Sequence, residues 1–174
     1  NLNGVYSANE FLTRVNLMGG YKFPNGADTP IKKIRRVAVI GAGNTAMDAA
    51  RTARRLPGVE HVYLTYRRSR AEMPARNEEI HHAEEEEIDF FLLHSPLEFV
   101  DDGKGAVRAM VLQEMELGEP DESGRRRPVS VNDSEFTIAA DTLVPAVSQS
   151  ADRRLAELFG LDTTRWGTID ADEV

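Results

Sequence analysis

The 174-residue sequence predicts an α/β fold in which a parallel sheet is followed by an antiparallel meander. Three observations carry that expectation. Short apolar runs at Val37–Ile40, "HVYLTY" and "IDFFLLH" alternate with stretches of helical spacing, and strand-helix-strand repetition means parallel pairing. After Pro96 come the extended segments "LEFV", "AVRAMVLQEMEL" and "FTIAA", separated by "DDGKG" and "GEPDESGRRRP", which read as hairpin turns. Finally, "VAVIGAGNTAMDAARTARRL", residues 37–56, joins a strand to a helix through a tight Gly-Ala-Gly turn. The full expectation is a parallel sheet with helices on both faces plus an antiparallel three-stranded β-meander.

Each element follows from its own residues. In "YSANEFLTRVNLMGG", Ser7 and Glu10 stand at capping-box spacing before apolar Phe11, Leu12, Val15 and Met18, which predicts one amphipathic helix stopped by Gly-Gly. Residues 19–34 hold Gly, Pro, Asn and Asp without periodicity and read as a connector. Ala46, Ala49, Ala50, Ala53 and Leu56 mark one face of the helix after the first strand, and Pro57-Gly58 ends it. Alanines on that face allow close packing on the sheet. "EMPARNEEIHHAEEEE" reads as the helix between the second and third strands. "DTLVPAV" reads as a further buried strand, with a short helix over Asp152 to Phe159 behind it.

Composition bounds the function. A chain of this length with 41% hydrophobic residues supports one good core and not two full domains. A net charge of -8 argues against nucleic acid or an anionic membrane as the main partner, because both reward clustered positive charge. With no cysteine, the segment has no disulfides, thiol redox chemistry or iron-sulfur ligands of its own. No long apolar run suggests a membrane span or signal peptide, and the first residue is Asn1, so the chain reads as a cytoplasmic fragment.

The glycine turn is the strongest chemical signal. Gly41, Gly43 and Ala46 match the G-x-G-x-x-G/A dinucleotide fingerprint in the strand-turn-helix context the motif requires. Gly41 permits the sharp turn, Gly43 lets a pyrophosphate approach the backbone, and Ala46 keeps the helix close to the strand. The competing reading is an ordinary strand-to-helix turn. NAD-specific folds place an Asp or Glu at the end of the second strand, on the ribose 2'-hydroxyl. Here the sequence is "TYRRSR", with Glu60 before the strand and Glu72 well after it, so Arg67, Arg68 and Arg70 occupy the corner. Guanidiniums suit a 2'-phosphate, and the expected ligand is NADP(H). The alternative is solvated arginines paired with the nearby Glu run.

Other candidates carry less. Glu84 to Glu87 read as a solvated helix face. His81 and His82 are adjacent and lack the i, i+4 spacing of a helical metal pair, so no metal site is expected. "DGKG" at 102–105 is a turn, and Arg125 to Arg127 read as a hairpin tip with solvated charge. No side chain is a convincing catalyst. A self-sufficient NADP dehydrogenase would need a proton-transfer dyad, and none of Tyr6, Tyr21, Tyr63 or Tyr66 has Lys four residues later. A non-catalytic nucleotide sensor or assembly domain shares the same turn and stays open at this point.

Together, "VAVIGAGNTAMDAARTARRL", "YRRSRAEMPARNEEI", "ELGEPDESGRRRPV" and "ADTLVPAVSQSAD" resemble the small (beta) subunit of NADPH-dependent glutamate synthase and its flavoprotein relatives, including the reductase region of dihydropyrimidine dehydrogenase. The similarity covers nearly the whole chain. It implies a Rossmann-like NADPH domain inserted into an FAD domain, with hydride passing from nicotinamide to FAD and on to iron-sulfur clusters. It also implies Gly41, Ala42, Gly43, Asn44 and Thr45 around the pyrophosphate, and Arg67 and Arg68 around the 2'-phosphate. On this resemblance residues 1–34 are a helix and connector from the FAD-domain side, 35–150 the NADP(H)-binding domain, and 151–174 a return segment. The implied partners are the parent chain's FAD domain and an iron-sulfur domain or the glutamate synthase large subunit. Two departures stand out. The family's FAD glycine motif and Gly-Gly-Asp motif are absent, so the chain alone is expected not to hold FAD tightly or to turn over. Ser148 stands where the family commonly has glycine.

Overall fold

In a computed structural model, residues 2–23, 25, 31, 34–120, 124–147, 152–164 and 167–171 are described. The described residues build two sheets. Strands β1 (Arg36–Ile40), β2 (His61–Tyr66), β3 (Asp89–Leu92) and β8 (Thr142–Pro145) form a parallel sheet in the order β3-β2-β1-β8. Register pairs Val39 with Leu64 on one side and with Val144 on the other. Strands β4 (His94–Asp101), β5 (Val107–Pro120), β6 (Arg126–Ser130) and β7 (Phe136–Ala139) form an antiparallel sheet around β5.

Alternation along the parallel strands divides the core in two. Val37, Val39, Val62, Leu64 and Val144 face the helices α1 (Ala8–Leu12), α2 (Asn44–Arg54) and α3 (Asn77–Glu85). Ala46, Ala49, Ala50 and Ala53 are fully buried on α2, as their spacing predicts, and their small side chains let the helix lie close to the sheet. The π-helical turn Thr13–Leu17 continues α1, and Ser7 caps it by accepting the Glu10 N–H. Ala38, Ile40 and Leu143 face the other way and bury against Val107, Met110 and Leu112 of β5.

Three expectations are corrected in detail. First, helices α1 to α3 cover one face of the parallel sheet, and the antiparallel sheet covers the other. Strands buried on both faces carry the same apolar run whatever covers them, so the sequence could not distinguish the two. Second, the antiparallel sheet has four strands. "RRPVS" lacks an apolar alternation, yet it pairs with the second half of the 14-residue β5 as β6, while β7 pairs with the first half. Third, "EMPARNEEIHHAEEEE" is helical only from Asn77. A 3-10 turn over Arg70–Glu72, capped reciprocally by Ser69 and Glu72, runs into the extended backbone of Met73, as expected before Pro74. The acidic run over residues 84–87, at the end of α3, is not simply solvated. Glu86 accepts from Arg51 Nε at 2.9 Å and Arg55 Nη2 at 2.5 Å, and Arg54 donates to the Glu86 carbonyl at 3.0 Å.

Candidate functional site

The glycine turn sits where three strand ends meet. Gly41 follows β1 with φ at +134°, and a Cβ there would lie 2.7 Å from the Ala146 carbonyl oxygen. The fold itself therefore requires glycine at this position. The Gly41 N–H donates to Thr65 at the end of β2 (3.0 Å), and the Ala146 N–H after β8 donates to Ile40 (2.8 Å).

Gly43 is different. It is the N-cap of α2 with φ −86° and ψ 175°, a backbone open to any residue, and among the described residues an added Cβ would meet only Pro74 Cγ at 4.0 Å. Packing does not demand glycine here. No side chain caps α2, so the positive end of the helix dipole is presented beside Gly43. Asn44 is exposed, and its Oδ1 accepts the Arg76 N–H at 3.0 Å. With the Ala75 N–H donated to Ala42 (3.1 Å), that bond lays the segment around Pro74 across the turn. Ala46 is fully buried against the sheet.

An open cleft of about 1140 Å³ lies over this junction, above the range usual for drug-sized ligands and suited to an extended dinucleotide. Gly41, Ala42, Gly43 and Thr45 line it from the turn, and Thr65, Tyr66, Arg67 and Arg68 from the end of β2. It occupies the carboxyl ends of the strands, where β8 joins on the opposite side of β1 from β2. That is the topological switch point at which open α/β sheets bind ligands.

Electrostatics sets the cleft apart from the rest of the chain. In a molecule of net charge -8, the described residues that line it include three arginines and no Asp or Glu. Arg67 is exposed, and Arg68 is half-buried with its Nε donating to the Arg126 carbonyl at 2.9 Å. Arg70 is not among the lining residues. It pairs through both Nη atoms with Glu84, Nη2 to Oε2 at 3.0 Å, and that hydrogen bond holds the Glu84 carboxyl below the usual carboxylate range and raises the guanidinium above its own. The structure thus brings Arg67 and Arg68 to the cleft and turns Arg70 onto the Glu run.

Sequence reasoning missed part of the lining. Arg125, from the β5–β6 turn read as solvated charge, reaches the cleft, as do His94, Ser95 and Pro96 and the stretches Ser7–Asn9 and Pro145–Val147. His94 is fixed by its Nδ1 at 2.6 Å from the Leu92 carbonyl and by edge-on contacts with Phe91 and Phe136. Beside it, Leu93 has φ +56°, a left-handed conformation rare for a bulky residue. This kink moves the chain from one sheet to the other, and the Leu93 N–H donates to the Arg68 carbonyl at 3.1 Å. That hydrogen bond anchors the backbone of the arginine corner. No spacing rule reveals such contacts, because they cross between sheets. Ser148 lies outside the described residues. Among the described residues no group of three or more His, Asp or Glu could hold a metal ion, and no helix is long and apolar enough to cross a membrane.

Comparison with known proteins fixes the family. The model describing pyridine nucleotide-disulphide oxidoreductases matches residues 2–174. The chain belongs to this family. The pyridine nucleotide-disulphide oxidoreductase chain is 48% identical over 139 residues to the "NADP(+)-dependent formate dehydrogenase subunit beta" of Moorella thermoacetica, covering 79% of this chain and 19% of that protein. It is 40% identical over 174 residues to the "Putative glutamate synthase [NADPH] small chain" of Cereibacter sphaeroides, covering 97% of this chain and 40% of that protein. The resemblance to the glutamate synthase small subunit is borne out. Among solved structures, Mycobacterium tuberculosis FprA in complex with NADPH superposes with a TM-score of 0.67 at 19% identity, over 87% of this chain and 46% of that one. That likeness shows the fold. In each of these three cases the chain spans less than half of the other protein, and the two sequence relatives are named as a subunit beta and a small chain.

Proposed function

We propose that the cleft binds NADP(H), with the pyrophosphate against Gly41, Ala42, Gly43 and Thr45 at the start of α2 and the 2'-phosphate at Arg67 and Arg68. The observation that carries this reading is Gly43. The fold has room for a side chain there, so the missing Cβ answers to a ligand and not to packing. Asn44 and Ala46 support the site from behind, Asn44 through Arg76 and Ala46 by its burial. Arg70 serves the Glu84 pair. The family and the NADPH- and NADP-dependent names of its relatives agree with this choice of nucleotide.

The nicotinamide supplies hydride chemistry when bound, and this chain's residues bind and orient it. No residue of the cleft acts as an acid or base in this reading. In the parent protein the acceptor is FAD, held by a domain outside residues 35–150, with iron-sulfur clusters or a glutamate synthase large subunit beyond it, in the cytoplasm. Residues 1–34 and 151–174 link to that domain. Cysteine-free and lacking the FAD motifs, the chain by itself binds nucleotide without turning it over.

Titration calorimetry of the 174-residue chain tests the assignment. A charge-assisted guanidinium-phosphate contact contributes on the order of 1.5–3 kcal/mol, so NADPH is expected to bind about tenfold or more tightly than NADH. The purified protein is expected to be colourless and to reduce no dye with NADPH. Equal affinities would refute the 2'-phosphate site, and a flavin band or dye reduction would refute the division of labour.

A further inference from the structure

The second half of β5 and its partner β6 have no role in either core. The last fully buried residue of β5 is Leu112, yet the strand runs on to Pro120 and returns through Arg126 to Ser130. A two-stranded ribbon without a core beneath it is marginal in water, and an exposed edge invites unwanted pairing. This ribbon is instead fastened at its far end. Arg126 donates from Nη2 to the Leu117 carbonyl at 2.7 Å and from Nε to the Gly118 carbonyl at 3.2 Å, and its own carbonyl accepts from Arg68 Nε at 2.9 Å. The guanidinium of Arg126 is spent on the hairpin, and its carbonyl ties the hairpin to the arginine corner of β2.

That tie delivers the preceding residue, Arg125, to the cleft. We propose that Arg125 is a specificity-determining residue that completes a 2'-phosphate site shared between the end of β2 and the β5–β6 hairpin. The inference deepens the NADP(H) reading and rests on it. Charge balance supports it. A phosphomonoester carries about −1.5 to −2 at neutral pH and three acceptor oxygens. At the β2 corner, Arg70 is drawn off by Glu84 and Arg68 already donates its Nε to the hairpin, so the corner alone offers less than its three arginines suggest. Arg125 joins Arg67 and Arg68 among the described residues that line the cleft, which brings a further guanidinium to it from the hairpin. Because Arg68 holds the hairpin and the hairpin carries Arg125, the two halves of the site are positioned by one hydrogen bond.

The experiment titrates NADPH and NADH into the 174-residue chain and into Arg125→Ala, Arg125→Lys and Arg127→Ala. Arg125→Ala is expected to lose about tenfold in NADPH affinity with NADH unchanged, Arg125→Lys to fall between, and the exposed Arg127→Ala to match the parent. Unchanged NADPH affinity in Arg125→Ala overturns the proposal, as does an equal loss for both nucleotides, which would reflect hairpin structure and not phosphate recognition. A parent chain that binds neither nucleotide overturns the NADP(H) reading itself, a result distinct from the other two.

Discussion

Gly41 and Gly43, two residues apart in the same turn, are expected to fail in opposite ways when given a side chain. Replacing Gly43 with Val places a Cβ whose nearest neighbour among the described residues is Pro74 Cγ at 4.0 Å, on a backbone at φ −86° that valine adopts freely. The stability cost is that of a poorer N-cap, about 0.5–1 kcal/mol, or a drop in Tm of about 1–4 °C for a chain this long. Replacing Gly41 with Ala forces φ +134° on an L-residue and drives Cβ to 2.7 Å from a backbone oxygen of Ala146. Conformational strain alone costs about 1–3 kcal/mol, and the exit of β8 must also shift, so Tm should fall by more than about 6 °C. Thermal melts read both stability changes, and calorimetric titration with NADPH reads binding. Gly43→Val should melt near the parent and bind no NADPH, because its side chain fills the space a pyrophosphate needs. A folded Gly43→Val that binds NADPH like the parent would refute the reasoning, since the turn would then serve structure alone.

Two further variants separate site from scaffold. Arg70→Ala should change NADPH affinity less than twofold by titration, because Arg70 is committed to Glu84 and stands away from the cleft; a tenfold loss would return it to the phosphate site. Arg51→Ala removes hydrogen bonds to Glu79 (2.7 Å) and Glu86 (2.9 Å) at a site only 20% exposed. It is expected to lower stability by about 1.5 kcal/mol and Tm by about 3–6 °C in a thermal melt, with NADPH affinity unaltered.

What the sequence revealed and what it concealed divide along physical lines. The strand-turn-helix around Gly41 and Gly43 is local, and its strand, cap and alanine face lie where their spacing puts them. The parallel order of β1, β2 and β3 follows from the helices between them. Concealed were features that depend on what lies across space. Apolar strands announce that both faces are covered without saying by what. "RRPVS" becomes a strand because the extended backbone of β5 supplies it with partners, not because its side chains prefer one. Arg70 sits in the same short motif as Arg67 and Arg68, and only the position of Glu84 on α3 separates their roles.

The covering of the second face by a sheet bears on the cleft itself. A helix packed there would end near the carboxyl edge of the parallel strands, which are four to six residues long. At about 3.3 Å per residue, the 14 residues of β5 reach about 46 Å, more than twice the length of any strand they cover. β5 is thus long enough to pack Val107, Met110 and Leu112 against the parallel sheet and still run on past the core. The surplus is the ribbon that Arg68 holds and that sets Arg125 at the cleft. The first half of β5 answers to core packing and the second to the site. Residues of β5 beyond Leu112 thus lie outside both cores, and in the proposed NADP(H) site their part is to carry Arg125.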